Sequence, residues 1–414
     1  MSKVPANTRK IIAGLDIGTT KVVFLIGAMT SEELEVIGVG TAPNTGVKQG
    51  VVVNIDHAVS AIRKAKEEAE LMAGVEAQTV WLGVAGAHIE SFDSFGMVAI
   101  KNEEVEQGDV DRVIEAAKAV AIPADRQVLH ILPSDYKIDG QEGICDPVGM
   151  SGVRLEAKVH IVTGNHSAIQ NIVKCTEKAG LSIEGLVLQQ LASSMAVLSE
   201  DEKNLGVAVI DMGGGTSDLV IYHQGSVVYT GVVPVGGNHF THDVAMGLRT
   251  TQQDAEQLKN KYGCALPGVA QEGEVLDVAG VGGRSPRTVE RKTLCEILEA
   301  RAEETLRFLK DKVVSSGYHA RLGSGLVLTG GGSQLGGLVE MGEFVFDCPV
   351  RRATPQGVGG LVDVVRSPAF ASSVGLLKYG QEKSRKQMAV DKGHELRFND
   401  HWNDFVLKIK NFFA

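Results

Sequence analysis

Residues 207–222 read VAVIDMGGGTSDLVIY, two apolar runs separated by an aspartate and a glycine-rich turn. Residues 11–27, IIAGLDIGTTKVVFLIG, repeat this arrangement. An apolar run on each side of a tight turn predicts two buried strands. Because Asp16 and Asp211 hold equivalent places in patterns that lie 195 positions apart, we interpret the patterns as one supersecondary unit used twice. Two unrelated hairpins are the alternative.

The two turns contain the residues that a phosphate-binding loop needs. Glycine allows several backbone N–H groups to converge on a phosphate, and threonine and lysine add hydroxyl donors and a countercharge. A third glycine turn follows an apolar strand in residues 325–338, GLVLTGGGSQLGGL, at a predicted helix start that favours an anion. The candidate nucleotide-binding residues in the three turns are Gly18, Thr19, Thr20, Lys21, Gly213, Gly214, Gly215, Thr216, Gly330, Gly331 and Gly332.

Two aspartates, Asp16 and Asp211, lie at the ends of the strands that lead into the first two turns. Carboxylates there would repel a bare phosphate, but they can hold Mg²⁺ through its water shell. The turns and the aspartates together predict a site for a nucleotide with Mg²⁺. The chain contains no GxxxxGK[ST], so the P-loop class is excluded, and no complete GxGxxG, so a Rossmann fold has no support.

Composition narrows the function classes further. The chain of 414 residues is 43% hydrophobic and has a net charge of −10, which argues against general nucleic-acid binding. Its five cysteines form no CxxC pair, so we expect neither a zinc site nor a disulfide framework, and a reducing compartment. No run of about 18 apolar residues and no secretory h-region occurs, which predicts a cytosolic protein.

The C-terminal end differs in composition from the rest of the chain. Residues 381–398 are polar and are predicted to form a flexible linker, whereas residues 399–414, NDHWNDFVLKIKNFFA, have the pattern of an amphipathic helix. Such a helix lies in a membrane interface with its lysines at anionic headgroups. A terminal helix docked on its own domain is the alternative. The candidate membrane-binding residues are Trp402, Phe405, Val406, Lys408, Ile409, Lys410, Phe412 and Phe413.

These motifs resemble those of a known superfamily. DIGTTK, DMGGGTSD, LTGGGSQLGGL and ASSVGLLKYG occur in the order of the two phosphate turns, the adenosine loop and the second connecting helix of the actin, Hsp70 and sugar-kinase ATPases. Within that superfamily, QEGICDPVGMSGVRLEAKVHIVTG, LASSMAVLSEDE and GGRSPRTVERKTL are similar to the bacterial FtsA family of cell-division proteins. The resemblance covers nearly the whole chain. It implies an α/β actin-like ATPase fold with two RNase H-like halves around a nucleotide cleft, an inserted 1C subdomain and a C-terminal amphipathic helix.

The resemblance also implies subdomain boundaries. The first half would comprise subdomain 1A, interrupted by the 1C insertion, and the second half would comprise 2A, interrupted by 2B. The expected ranges are 10–83 and 163–206 for 1A, 84–162 for 1C, 207–236 and 313–367 for 2A, 237–312 for 2B, 368–380 for a return helix to 1A, 381–398 for the linker and 399–414 for the membrane-targeting helix.

Three residues receive roles at the nucleotide from the resemblance. Glu256 and Lys259 match the adenosine-side E-x-x-K spacing, with a solvated i,i+3 pair as the alternative. Gln190 matches the position that orients the attacking water, with a helix-surface amide as the alternative. Because an amide is a poor general base, at most slow ATP hydrolysis is expected.

The implied function is that of a cytoskeletal adaptor. An ATP-bound protein would form filaments with itself, lie on the cytoplasmic face of the inner membrane at the septum, and tether the FtsZ ring there. Arg284, Arg287 and Arg291 are candidates for pairing with the acidic FtsZ C-terminal tail, although a solvated loop explains them equally well. The 1C region would contact later divisome proteins and neighbouring subunits. The alternative is a soluble small-molecule kinase or Hsp70-like ATPase, which would have no use for an amphipathic tail.

Overall fold

The computed structural model describes residues 9–30, 33–282 and 285–386 of the chain. Strands and helices alternate through it in an α/β arrangement. The strands are β1 Lys10–Ile17, β2 Lys21–Met29, β3 Leu34–Pro43, β4 Val47–Lys48, β5 Val51–Val52, β6 Thr79–Val84, β7 Ile89–Ala99, β8 Arg126–Ile138, β9 Gln141–Ile144, β10 Arg154–Asn165, β11 Ser182–Leu188, β12 Val207–Met212, β13 Ser217–His223, β14 Ser226–Val233, β15 Val275–Val278, β16 Arg287–Glu290, β17 Leu326–Thr329, β18 Val350–Arg352 and β19 Gly359–Gly360. The helices are α1 Ile55–Ala73, α2 Gln107–Lys118, α3 His166–Lys178, α4 Gln189–Val197, α5 Glu200–Leu205, α6 Gly237–Gly247, α7 Gln252–Tyr262, α8 Arg291–Ser315, α9 Leu338–Phe346, α10 Val362–Val365 and α11, residues 371–386.

The two main sheets have the same topology over five strands, and the first has a sixth strand, β19, parallel to β3 at its edge. In the first, β3, β2 and β1 are antiparallel neighbours, and β6 and β11 follow β1 in parallel. In the second, β14, β13 and β12 are antiparallel and β17 and β18 follow in parallel. Asp16 and Asp211 lie near the ends of corresponding strands. The prediction of one unit used twice is therefore confirmed, and the reading as two unrelated hairpins is wrong.

The two sheets share one buried core. Strand residues of the first sheet, such as Val23 and Leu25, belong to the same apolar cluster as Val209 and Val220 of the second. Val374 of α11 is fully buried in that cluster. Burial of this apolar surface, at about 25 cal/mol per Å², is the main force that holds the halves together.

A separate four-stranded sheet, in the order β7-β10-β8-β9, lies between β6 and α3 in the chain. Helix α2 covers one of its faces, and Val113 and Ala117 of that helix are fully buried there with Val159. Gly96 of β7 allows the close approach, because a Cβ at this position would lie 2.1 Å from the carbonyl oxygen of Val113.

The C-terminal part of the structure differs from the sequence prediction. Helix α11 runs through residue 386, so the first six residues of the predicted linker 381–398 are helical. Residues 387–398 and the predicted membrane-binding residues in 399–414 lie outside the described residues. Among the helices that the structure does describe, none combines the length and the apolar character needed to cross a membrane.

Candidate functional site

The first two glycine turns close in the same way. The Gly18 N–H donates to the Lys21 carbonyl at 3.0 Å, and the Gly213 N–H donates to the Thr216 carbonyl at 2.9 Å. Each turn joins a strand that carries an aspartate to the antiparallel strand that comes next in the chain. The repeated sequence unit therefore produces a repeated backbone geometry.

These two turns face each other. A Cβ at Gly214 would lie 2.5 Å from the Thr20 Cγ2 atom, and one at Gly215 would lie 2.6 Å from the Thr19 hydroxyl oxygen. Glycine is required at both positions because the opposite turn occupies the space of a side chain. The turn backbones and the threonine hydroxyls consequently line one narrow cleft.

The third turn packs against the strand that carries Asp211. Gly330 has a φ of +81°, in the left-handed region that glycine tolerates, and a Cβ there would lie 2.3 Å from the Asp211 Oδ1 atom. Gly331 is less crowded, because the nearest atom to its Cβ position is 3.7 Å away. The third turn can therefore approach Asp211 this closely only because residue 330 is a glycine.

Two adjoining cavities share Thr20, Gly213, Gly214 and Gly331 among their lining residues. The smaller, of about 100 Å³, is bounded by the two turns and by Asp16 and Asp211. The larger, of about 510 Å³, extends toward α6 and α7. Every candidate residue of the three turns lines one of the two cavities. The sequence analysis expected these residues to share a site, and the fold brings them together.

Three carboxylates lie in the smaller cavity. Burial, together with repulsion from Asp211, raises the pKa of Asp16 to about 6, although Lys21 and Ser373 oppose the shift. Burial also raises the pKa of Asp211, against hydrogen bonds from Ser372 and Ser193. The pKa of Asp218 is raised to about 8 by burial and by Asp211. Without a cation, therefore, Asp218 keeps its proton at neutral pH, whereas Asp16 becomes protonated only below about pH 6.

Asp218 was not predicted as a site residue. The Thr216 hydroxyl donates to its Oδ2 atom at 3.0 Å, while its Oδ1 atom is buried without a hydrogen-bond partner among the described residues. Its position in DMGGGTSD, two residues after the last turn residue, could have indicated that the return strand brings it back to the cleft. A buried carboxylate oxygen without a donor is well placed to accept from the water shell of a cation.

Two adjacent serines of α11 connect the halves at these carboxylates. The Ser372 hydroxyl donates to Asp211 Oδ2 at 2.9 Å, and the Ser373 hydroxyl donates to Asp16 Oδ2 at 3.3 Å. Each half contributes one aspartate and α11 contacts both.

Lys21 also lines the smaller cavity. Its Nζ atom lies 4.2 Å from the centroid of the Phe370 ring, and burial lowers the pKa of its ammonium group.

Glu256 and Lys259 of α7 line the larger cavity as a bonded pair. The Lys259 Nζ atom donates to Glu256 Oε2 at 2.7 Å and to the Thr241 hydroxyl at 2.8 Å, and Thr241 donates to the same carboxylate. Burial raises the pKa of Glu256, but the hydrogen bonds from Lys259 and Thr241 outweigh it and hold the pKa below its usual range. The pair is part of the cavity wall rather than a fully solvated surface pair.

Comparisons with known proteins agree with this geometry. A family model described as "Cell division protein FtsA" matches residues 208–375, and one described as "SHS2 domain inserted in FTSA" matches residues 86–163. The cell division protein FtsA of Pseudomonas aeruginosa is 49% identical over 382 residues, which cover 92% of each chain. This chain belongs to the FtsA family. FtsA of Escherichia coli K12 is 41% identical, again over 92% of each chain.

Solved structures show that this FtsA-family chain has the actin-like ATPase fold. The PilM-PilN type IV pilus biogenesis complex matches with a TM-score of 0.64 at 15% identity, over 89% of this chain and 98% of that chain. MreB5 of Spiroplasma citri bound to ADP matches with a TM-score of 0.54 at 14% identity, over 92% and 98%. The predicted fold class and the resemblance to FtsA are both confirmed, and the chain is a cell-division protein rather than a soluble kinase.

Gln190, the residue predicted to position water, and its neighbour Gln189 have different environments in the structure of this FtsA-family chain. Gln189 lines the smaller cavity, and its Nε2 atom donates to Asp16 Oδ1 at 2.7 Å. Gln190 is fully buried, lines neither cavity of the cleft, and its two amide atoms have no hydrogen-bond partner among the described residues. Helix α4 begins at Gln189, so a shift of about 100° around the helix separates the two side chains.

The three candidate arginines have different environments. Arg291 pairs with Glu274 at 3.0 Å and donates to the Tyr262 carbonyl at 2.9 Å, so its guanidinium is engaged within the chain. Arg287 donates to the Leu248 carbonyl at 2.6 Å and lies in the exposed strand β16. Arg284 lies outside the described residues. Of the two arginines that can be located, Arg287 is the more accessible to a partner.

Proposed function

We propose that this FtsA-family protein binds ATP with Mg²⁺ in the cleft, forms filaments, and tethers the FtsZ ring to the cytoplasmic face of the inner membrane through residues 399–414. Later divisome proteins would be recruited through the inserted sheet. The observation that carries the nucleotide part of this proposal is the pairing of two matched glycine turns across three carboxylates, of which Asp211 and Asp218 are buried. ATP would act mainly as a conformational ligand, because an amide can orient water but cannot remove its proton.

The residues of the cleft suit a magnesium nucleotide. Backbone N–H groups of the two turns and the Lys21 ammonium would hold the phosphates, and Gly330, Gly331, Gly332, Glu256 and Lys259 would lie on the nucleoside side. Asp16 and Asp211 would hold Mg²⁺ through water, with Asp218 as an additional acceptor. Carboxylate oxygens are the ligands that Mg²⁺ prefers, and the raised pKa of Asp16 and of Asp218 falls when a cation neutralises the cluster.

Nucleotide binding is tested with Asp211→Asn. The variant keeps the size of the side chain and can still bond to Ser372, but it removes a charge that Mg²⁺ needs. We expect affinity for Mg²⁺-ATP to fall at least about tenfold, or roughly 1.4 kcal/mol, with affinity for metal-free ATP changed much less. Calorimetric titration with and without EDTA measures both. Equal losses in the two conditions would contradict a role in metal binding.

The membrane tether rests on the sequence of residues 399–414. Burial of large apolar side chains at about 1.5–3 kcal/mol each gives useful but reversible lipid affinity. We expect the full-length chain to sediment with anionic liposomes, and a chain that ends at Lys386 to remain in solution. Trp402→Glu should release the protein, whereas Asn403→Glu on the polar face is the matched control and should leave binding much less affected.

For the proposed FtsZ contact we favour Arg287 and its surroundings, because the Arg291 guanidinium is already paired with Glu274. Arg287→Glu should weaken binding of a synthetic FtsZ C-terminal peptide, measured by fluorescence anisotropy at two salt concentrations. An unchanged affinity would place the contact elsewhere. Lys292→Glu, which changes a neighbouring exposed charge, controls for a nonspecific effect of charge.

A further inference from the structure

The end of helix α11 carries a local excess of positive charge. Residues 381–386 contain three basic residues and one acidic residue, whereas the whole chain has a net charge of −10. Residues 387–414 contain four basic and four acidic residues, and the amphipathic segment 399–414 within them contains two lysines and two aspartates, so both are neutral. The positive charge near this end of the chain therefore belongs to the helix, and not to the segment that we assign to the membrane.

Two basic residues at the start of β1 meet the same helix end. The Lys10 Nζ atom donates at 3.0 Å to the hydroxyl oxygen of Ser384, a buried residue of α11. Arg9, the neighbour of Lys10 in the chain, pairs with Glu35 of β3. The exposed basic residues around this contact, which we call the basic surface, are Arg9, Lys10, Lys383, Arg385 and Lys386.

Acidic residues offset only part of the basic surface. Glu35 pairs with Arg9. Glu382 pairs with Lys386 across one helical turn, and Glu33 lines a groove together with both of these acids. Because five basic residues meet three acidic ones, this end of the first sheet keeps a net positive charge in an acidic protein.

Lys10 and Lys383 are the members of the basic surface that are best placed to bind an anion. Neither forms an ion pair with any acid in the part of the chain that the structure describes. Lys10 bonds to Ser384, and the Lys383 Nζ atom lies 5.3 Å from the centroid of the Tyr379 ring. An ammonium group has three donors, so each of these lysines can still donate to a phosphate oxygen.

The length of the chain keeps the basic surface near the predicted membrane segment. Helix α11 runs through residue 386, and the twelve residues 387–398 separate it from residue 399. Even a fully extended chain of this length spans at most about 45 Å. When residues 399–414 are bound to a membrane, the end of α11 therefore cannot be farther than this from the lipid headgroups.

We propose that the basic surface binds anionic lipid headgroups directly, as a second membrane contact beside residues 399–414. This inference rests on the proposed function, in which residues 399–414 bind the membrane. Each lysine or arginine near an anionic bilayer adds attraction, and a reversible apolar anchor becomes a stable one when a basic patch acts with it. Because the amphipathic segment is itself neutral, the basic surface supplies the preference for anionic lipid.

The two contacts act over different distances. The attraction between the basic surface and the lipid falls off within a Debye length, about 8 Å at physiological ionic strength. The folded part of the protein must therefore lie against the bilayer, although the length of residues 387–398 permits a larger separation. The basic surface alone has too few charges for stable binding, which agrees with the expectation that a chain ending at Lys386 remains in solution.

The first test measures binding of the full-length chain to liposomes of phosphatidylcholine, with and without phosphatidylglycerol. Lys383→Gln combined with Lys386→Gln removes two exposed charges and keeps good helix formers at both positions. Lys64→Gln combined with Lys174→Gln, at exposed lysines of α1 and α3, is the matched control. At physiological salt, the dissociation constant for the anionic liposomes should rise at least about tenfold in the first double variant and less than about twofold in the control.

On phosphatidylcholine alone the three chains should bind equally, through residues 399–414. Unchanged affinity of the Lys383→Gln, Lys386→Gln chain for anionic liposomes would overturn the proposal, as would an equal loss in the control or a wild-type chain that does not distinguish the two lipids. A wild-type chain that binds neither kind of liposome would instead contradict the membrane tether, and this proposal with it. Thermal unfolding of the double variant should match the wild type, because an exposed i,i+4 pair contributes little to stability.

The second test measures how the bound protein is oriented. A donor dye is attached at Glu33→Cys in a Cys145→Ser background, because Cys145 is exposed, and energy transfer to acceptor-labelled anionic lipid is recorded with all of the protein bound. Transfer should be stronger than from a dye at Val269→Cys, an exposed position next to α7 and α8. Adding Lys383→Gln and Lys386→Gln should lower the transfer from residue 33. Unchanged transfer would mean that the basic surface does not face the bilayer, and would overturn the proposal.

Discussion

At the scale of single residues, the raised pKa of Asp218 makes the stability of the folded chain depend on pH. The side chain is 3% exposed and its pKa is raised to about 8, whereas the unfolded chain releases this proton near pH 3.8. Between these values the folded state binds more protons than the unfolded state, so this group makes the free energy of unfolding fall as pH rises. Bound Mg²⁺ would reverse the effect by favouring the ionised form.

Asp218→Asn should remove this pH dependence. The amide oxygen still accepts from Thr216, but the side chain no longer ionises. We compare the free energy of unfolding of the variant with that of the wild type, both without Mg²⁺. The difference, variant minus wild type, should be larger at pH 8.5 than at pH 5 by at least about 1 kcal/mol. Urea unfolding at the two pH values measures it. A difference that does not change with pH would mean that Asp218 titrates normally in the folded chain.

Gln189 and Gln190 offer a second comparison at this scale. Gln189→Ala removes the donor to Asp16 and should lower ATP turnover several-fold with a small change in nucleotide affinity. Gln190→Met replaces a buried amide that has no partner with an apolar group of similar size, so stability should be unchanged or higher. Turnover assays and thermal unfolding of both variants separate the two roles. Loss of turnover in Gln190→Met alone would support the predicted role of Gln190 in positioning water.

This pair also shows what the sequence could not decide. The resemblance indicated Gln190, but which of two adjacent glutamine side chains faces the cleft depends on where α4 begins. Helix boundaries are uncertain by one or two residues even in structures. Asp218 was missed for a different reason, since its role depends on the return strand rather than on the turn itself.

At the scale of elements, the path of the loop between β17 and α9 depends on one glycine, Gly330. The strand supplies Thr329, and the chain must then turn beneath Asp211 with a positive φ at Gly330. Alanine at this position would be strained in φ and would contact the Asp211 carboxylate. The loop geometry and the position of the carboxylate are therefore determined together.

Gly330→Ala and Gly331→Ala form a matched pair. The first should lower the free energy of unfolding by roughly 1–3 kcal/mol and displace Asp211, with weaker nucleotide binding. The second adds the same methyl group in open space and should have little effect on stability. Denaturant unfolding and nucleotide titration of both variants provide the measurement. Equal effects would show that crowding at Asp211 is not the cause.

The main elements were predictable because their signals are local. The apolar runs around each turn specified β1, β2, β12 and β13, and their repetition indicated the duplicated sheet. The end of α11 was not predictable from composition. Residues 381–386 are polar, yet the pair formed by Lys386 and Glu382 at i,i+4 supports a continuing solvent-exposed helix.

At the scale of the whole molecule, the inserted sheet bridges the two halves. It is inserted in the chain of the first half, but His160 of β10 contacts Thr230 of β14 in the second half. The His160 ring lies 2.8 Å from Asp93 through Nδ1 and 3.0 Å from the Thr230 hydroxyl through Nε2, and both His160 and Thr230 are buried. No sequence pattern indicated this contact, because its three residues come from strands that are distant in the chain.

Thr230→Val should weaken this bridge. The substitution preserves shape but leaves the buried His160 Nε2 atom without its partner, at a cost of about 1–3 kcal/mol. Hydrogen exchange should increase in β14 and β10, whereas β17 remains protected. Ser91→Ala, which removes only a hydroxyl donor to the Thr230 carbonyl, is the milder control. Unchanged exchange in β14 would mean that the contact does not restrain the insertion.

Helix α11 has a mechanical consequence. Its first turn contacts one aspartate from each half, and it leaves the cleft as a single rod toward the C-terminal end. From Ser372 to Lys386 the rod is about 21 Å long, so a tilt of roughly 10° at the aspartates moves its far end by about 4 Å. Opening and closing of the cleft would therefore shift the start of the segment that leads to residues 399–414, which we assign to the membrane.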